Sequence, residues 1–164
     1  SAGLGAGSEF SIVLPISAQR TQLLQAPRVE PRAKNDGLRK FRVLVVDDNR
    51  DAAEALQMLL QALGQESYAV FDGKSAREAA HRLKPHLILL DIGMPDMSGY
   101  DVADLLRADF GKDVAVLAAV TGWGQQSDKR LALAHGFNYH FTKPVSAVAL
   151  KVFLEAVGET RPHR

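Results

Sequence analysis

The sequence contains no cysteine. Disulfides, thiolate metal sites and cysteine nucleophiles are therefore excluded, which fits a cytoplasmic address. No apolar run approaches the roughly 18 residues that a membrane span needs. The first residues are small and uncharged, without the basic and apolar regions of a secretory leader. Nor is there a strong charge of one sign. The net charge is +1, and it hides an asymmetry. Residues 41–158 carry 12 Lys and Arg against 15 Asp and Glu, so the basic excess lies in the flanks. A folded region that is mildly acidic lacks the basic footprint of a nucleic-acid binder, and no nucleic-acid partner is expected.

What is present divides into regions by pattern. In residues 1–16 a Gly-rich stretch is followed by Phe10, Ile12, Leu14 and Ile16 at alternate positions, the spacing of a short strand. Residues 17–40, with Pro27 and Pro31 and little periodicity, read as a linker. The regular pattern runs from 41 to 158 and leaves 159–164 as a tail. FRVLVV (41–46), SYAVF (67–71), HLILLD (86–91), VAVLAAVT (114–121) and NYHFT (138–142) read as strands.

Helices alternate with these strands. The first places Ala52, Leu56, Leu59, Leu60 and Leu63 on one stripe and stops at Gly64. A capping box of Ser75 and Glu78 opens the second, which runs through Leu83. Ser98 and Asp101 open the third, which ends near Arg107. The fourth runs from Gln126 to Gly136, and the fifth from the Ser146 cap to Gly158. Five βα units imply an α/β fold, a five-stranded, doubly wound parallel sheet with helices on both faces. Such sheets bind ligands at the carboxyl ends of their strands.

Polar residues fall at those ends. Asp47 and Asp48 close strand one, Asp91 strand three, Thr121 strand four, and strand five runs into Lys143-Pro144. Three carboxylates at one rim repel one another unless a hard cation such as Mg2+ sits among them. With a lysine ammonium and a threonine hydroxyl opposite, they are the parts of a phosphoryl-transfer site. Each feature alone has a plainer reading: Asp48 as a helix cap, Thr121 as a strand former, Lys-Pro as a turn.

Taken together, VLVVDDN (43–49), LILLDIGMPDMSGYD (87–101), AAVTGWG (118–124) and GFNYHFTKPV (136–145) resemble the response-regulator receiver domain of two-component signalling. The resemblance implies a flavodoxin-like (βα)5 domain. It makes Asp91 the phosphoacceptor, a carboxylate nucleophile that takes a phosphoryl group from phosphohistidine and loses it slowly by self-dephosphorylation. It gives Asp47, Asp48, Asp91 and the carbonyl of Gly93 as Mg2+ ligands, Thr121 and Lys143 as the residues that bind the phosphoryl oxygens, and Lys143-Pro144 as a cis peptide. Gly93 and Gly122 would leave the acyl phosphate open to water or to a partner. In such domains Thr121 and an aromatic residue on strand five move together. The matching position here is His140 rather than Tyr or Phe, either a switch residue or an exposed strand histidine.

The implied partner is a histidine kinase core or a histidine phosphotransfer protein. Residues 2–16, AGLGAGSEFSIVLPI, resemble the last strand of the ATP-binding domain of sensor histidine kinases. This implies a receiver at the end of a hybrid kinase, whose parent can be membrane-anchored although this region makes no membrane contact. A free-standing regulator with an unrelated N-terminal extension is the alternative. A haloacid-dehalogenase-like phosphatase would carry a second Asp two residues after the nucleophile, where Gly93 stands. On the last helix, Leu150, Phe153, Leu154 and Val157 are expected to face the sheet. Val148 and Val152 then face outward, a surface for a partner or for a weak homodimer.

Overall fold

The computed structural model describes residues 39–111, 115–122 and 126–160, and in 126–129 and at 160 the backbone alone. The expected N-terminal strand, most of the linker and the end of the tail lie outside the described residues. All described residues belong to one compact unit.

Five strands alternate with five helices: β1 Arg42–Val46, α1 Arg50–Ala62, β2 Glu66–Val70, α2 Gly73–Leu83, β3 Leu87–Asp91, α3 Gly99–Phe110, β4 Val116–Thr121, α4 Gln126–Ala134, β5 Tyr139–Thr142 and α5 Ala147–Thr160. The strands form one sheet in the order β2-β1-β3-β4-β5, and every neighbouring pair is parallel. The strand order reverses between β1 and β3, so their carboxyl ends border the crevice where such sheets place ligands.

Side chains leave a strand on alternate faces, so the central strands supply two separate cores. Leu44, Val46, Ile88, Leu90, Leu117 and Ala119 pack with Ala76, Ala79 and Ala80 of α2, Val102, Ala103 and Leu106 of α3, and Ala132 of α4. Val43, Val45, Leu87, Leu89, Val116, Ala118 and Val120 pack with Ala53 and Leu60 of α1 and Leu150, Phe153, Leu154 and Val157 of α5. β3 is buried at all five positions, as its unbroken apolar run requires. The expected inner face of α5 is the observed one, and Val148 and Val152 are 74% and 59% exposed.

Several boundaries differ from expectation. The cap of α2 is Asp72, not Ser75. The Asp72 carboxylate accepts both the Ser75 N–H and its hydroxyl at 2.7 Å, so Ser75 already lies inside the first turn. α3 continues past Arg107 to Phe110 and ends at Gly111, which supplies a φ of 75°. α5 passes through Gly158 because that glycine does not take a left-handed φ, unlike Gly64 at the end of α1. β2 begins one residue early, at Glu66. On α1, Leu60 and Ala53 are buried, whereas Ala52, Leu56, Leu59 and Leu63 are only partly covered.

Candidate functional site

The predicted polar residues meet at the carboxyl edge of the sheet. Asp91 is the last residue of β3 and Thr121 the last of β4, while Asp47 and Lys143 directly follow β1 and β5. The parallel register explains the convergence. Val46 pairs with Leu90, Asp91 with Val120 and Thr121 with Thr142, so adjacent strands end within a residue or two of one another. Asp47, Asp91 and Thr121 are buried polar residues, whereas Asp48 at the mouth is exposed.

Lys143 ties the site together. Its Nζ lies 2.7 Å from Asp47 Oδ2 and 3.2 Å from Asp91 Oδ2. Partial burial disfavours the ammonium, but the hydrogen bond to Asp47 and the negative charge of Asp91 outweigh it and hold the Lys143 pKa above the ordinary lysine value. The Lys143 N–H donates to the carbonyl of Thr121 at 2.7 Å, which pins the loop after β5 to the end of β4. The Lys143-Pro144 peptide is cis, as the resemblance implies.

Backbone groups fix the two buried carboxylates. Asp47 Oδ1 accepts from Asn49 N–H at 3.0 Å, and Asp91 Oδ1 accepts from Gly93 N–H at 3.2 Å. One carboxylate oxygen from each of Asp47, Asp48 and Asp91 lies within 4.8 Å of the others. This all-oxygen set suits Mg2+, a hard cation. The plainer reading of Asp48 is excluded. The cap of α1 is Asn49, whose Oδ1 accepts from Ala52 N–H at 3.1 Å, so Asp48 stands at the mouth with no capping duty.

Three features of the site leave no clear mark in the sequence. Gly99, at the start of α3, lies so close to Asp91 that a Cβ there would meet the Asp91 carbonyl oxygen and come within 2.8 Å of Ile92 Cα. Its N–H also donates to the Ile92 carbonyl at 3.2 Å. Thr121 Oγ1 lies 3.3 Å from Nε2 of His140, so the departure from Tyr or Phe brings a hydrogen bond with it. Finally, half-covered and exposed residues of α1 wall a groove of about 410 Å³ beside the carboxylates. Ala52, Ala55, Leu56 and Leu59 form one side, Val120, Pro144 and Val145 the other, and Asp47 and Lys143 lie at its edge. An N–H or a hydroxyl partner leaves little trace in a hydrophobic pattern. The uncovered leucines do leave a faint one, since α1 has more apolar residues than one sheet face can bury.

Known proteins with these features are numerous. Residues 43–155 match the response regulator receiver domain family. The DNA-binding response regulator MtrA of Mycobacterium tuberculosis is 39% identical over 103 residues, 63% of this chain and 44% of that protein. The transcriptional regulatory protein KdpE of the same species is 39% identical over 102 residues, again 44% of its length. The chain thus spans less than half of these curated relatives. The expectation of no nucleic-acid partner finds no support in them, since MtrA is described as DNA-binding.

Among solved structures, chemotaxis protein CheY4 of Vibrio cholerae superposes with a TM-score of 0.68 at 24% identity, over 73% of this chain and 99% of that one. A CheY-like receiver domain from Methylobacillus flagellatus gives 0.61 at 26%, over 71% and 97%. No helix among the described residues is long and apolar enough to cross a membrane. The (βα)5 sheet, the acidic cluster at its carboxyl edge and the match across residues 43–155 identify the chain as a member of the response regulator receiver domain family.

Proposed function

We propose that the receiver takes a phosphoryl group from a phosphohistidine onto Asp91. The observation that carries this reading is the Lys143 bridge between Asp47 and Asp91, with the Thr121 hydroxyl bordering the same rim on β4. An oxygen of Asp91 attacks phosphorus while the bond to the donor imidazole nitrogen breaks. The imidazole leaves with that electron pair, and Asp91 becomes an acyl phosphate. A Mg2+ ion held by Asp47, Asp48, Asp91 and the Gly93 carbonyl supplies positive charge to the phosphoryl oxygens when bound. Lys143 supplies a second positive charge, and Thr121 donates its hydroxyl proton to one phosphoryl oxygen. Asp47 keeps Lys143 aimed at the site.

The donor is a histidine kinase core or a histidine phosphotransfer protein, and the groove beside Lys143 supports its docking. An apolar wall next to a reacting carboxylate fits the exposed apolar stripe of a partner helix. These are cytoplasmic partners. Residues 2–16 support a hybrid-kinase origin, with 17–40 as linker and 41–158 as receiver. The similarity to the response regulators MtrA and KdpE fits the alternative, a free-standing regulator with an unrelated N-terminal extension, more than it fits a hybrid kinase. The sequence upstream of residue 1 in the gene separates these readings.

The phosphoacceptor assignment is tested by incubating the chain with acetyl phosphate and Mg2+ and measuring intact mass. One phosphoryl group should be gained by the parent and none by Asp91→Asn. Equal labelling of both would refute it.

A further inference from the structure

We propose that the outer edge of β2 is a self-pairing surface for a second copy of this chain, and that the Gln57 side chain of α1 keeps it closed. β1 separates this edge from Asp91 on β3, so its behaviour is independent of the phosphoacceptor reading.

Which backbone groups face outward follows from the ladder. Glu66 N–H donates to the Phe41 carbonyl at 3.0 Å, and the Val70 carbonyl accepts from Asp47 N–H at 3.2 Å. A parallel strand bonds a given neighbour through every second residue. Glu66, Tyr68 and Val70 therefore face β1, and the N–H and C=O groups of Ser67 and Ala69 point away from it. β2 ends the sheet, so no strand among the described residues pairs with that outer side. Such an edge is a template for another strand. Here it is not left bare. Gln57 Nε2 donates to the Ser67 carbonyl at 2.9 Å, and the Ser67 hydroxyl donates to the Gln57 carbonyl at 3.1 Å. Ser67 is buried, so without the Gln57 amide its carbonyl needs another donor.

The edge is complementary to itself. An antiparallel copy related by a two-fold axis through Tyr68 sets Ser67 opposite Ala69 of the second copy, and Ala69 opposite its Ser67. These are the residues whose groups point outward, so each pair exchanges N–H···O=C bonds in both directions. Tyr68 then meets its own copy as the closer, non-hydrogen-bonded pair, where aromatic side chains attract. It is 37% exposed and open to that contact. Glu66 falls opposite Val70, so no like charges face each other. The second strand needs the Ser67 carbonyl that the Gln57 amide occupies. The α1 side chain and a second copy therefore compete for one acceptor, and α1 holds the edge shut.

The test introduces a single cysteine, Tyr68→Cys, into a chain that otherwise has none. The Cα atoms of a non-hydrogen-bonded antiparallel pair lie about 4.5 Å apart, within the span of a disulfide. In oxidised glutathione, Tyr68→Cys combined with Gln57→Ala should form a covalent dimer, and Tyr68→Cys alone should form little. Gln57→Asn, one methylene too short to reach Ser67, should act like Gln57→Ala. With the tyrosine retained, Gln57→Ala should self-associate about fivefold more tightly than the parent in sedimentation, the factor that one neutral hydrogen bond carries. Adding Ala69→Pro should abolish both effects. The Ala69 N–H points outward, so the ladder to β1 keeps its bonds. Circular dichroism is recorded on every variant. Cross-linking of Gln57→Ala and Gln57→Asn at the parent rate would overturn the proposal, as would cross-linking that survives Ala69→Pro.

Discussion

Replacing Gly99 by alanine should damage both stability and chemistry, because the added methyl has nowhere to go. It would press on the Asp91 carbonyl oxygen and lie 2.8 Å from Ile92 Cα and 3.0 Å from the Asp91 carbonyl carbon, where ordinary contact begins near 3.4 Å. All three atoms are backbone, so no rotamer change relieves the overlap. Nor can α3 tilt freely, since Gly99 N–H is bonded to Ile92 and Ser98 caps the helix through Tyr100 N–H.

Overpacking of this kind costs about 1–3 kcal/mol, and a rigid neighbour puts Gly99→Ala near the top of that range. The better helix propensity of alanine returns less than about 1 kcal/mol. A net loss of about 2 kcal/mol lowers the melting temperature of a domain this size by roughly 8 °C. Acetyl phosphate labelling of Asp91 should slow by about tenfold or more, because the shifted backbone carries the nucleophile out of line. Gly122→Ala is the control. Among the described residues nothing lies within 4 Å of its added methyl, although it neighbours Thr121. Calorimetry and single-turnover labelling decide the matter. A Gly99→Ala protein that melts and labels like Gly122→Ala would refute the reasoning.

Further effects are expected elsewhere in the domain. Saturating Mg2+ should raise the melting temperature, since a ligand at 100 times its Kd adds about 2.7 kcal/mol; Asp48→Ala should lose that rise, and a mutant that keeps it would remove Asp48 from the metal site. Asp109 is held at about 2 by its bidentate bond to Arg77, with His81 adding to it, so its contribution is present above the ordinary carboxylate value of 3.8 and is lost as pH falls toward 2. Carboxyl NMR should show that low value return toward 3.8 in Arg77→Ala. Val148→Glu with Val152→Glu should leave the stability within about 0.5 kcal/mol of the parent while weakening any self-association seen by sedimentation. Leu150→Ala, from the buried side of α5, should cost about 2–5 kcal/mol in denaturant titration.

The sheet was legible because its central strands β1, β3 and β4 are buried on both faces. A continuous apolar run as short as LILL (87–90), closed by a polar residue, suits a central strand better than an amphipathic helix, and its polar terminus marks the ligand edge. Helix termini were less legible where two polar residues competed for one role. Asp72 and Ser75 both suit a cap, and only the backbone decides that Asp72 does it. Gly158 shows the converse. A glycine permits a helix to stop but does not compel it, because either sign of φ is open to it and Gly158 keeps to the helical side. At the site, residue types and strand ends were readable, but partners were not. The 3.3 Å contact from His140 to Thr121 and the approach of Gly99 to Asp91 depend on how β4 lies against β5 and how α3 enters beside β3. Neither is encoded in any one stretch of sequence.

Phosphoryl transfer from a phosphohistidine to Asp91 is the central claim. Its most direct test mixes the chain with a histidine phosphotransfer protein carrying 32P on its histidine, in the presence of Mg2+, and follows the label on a gel. Label should move to the parent chain, not at all to Asp91→Asn, and more slowly to Lys143→Ala. Label that moves equally to the parent and to Asp91→Asn would contradict the claim.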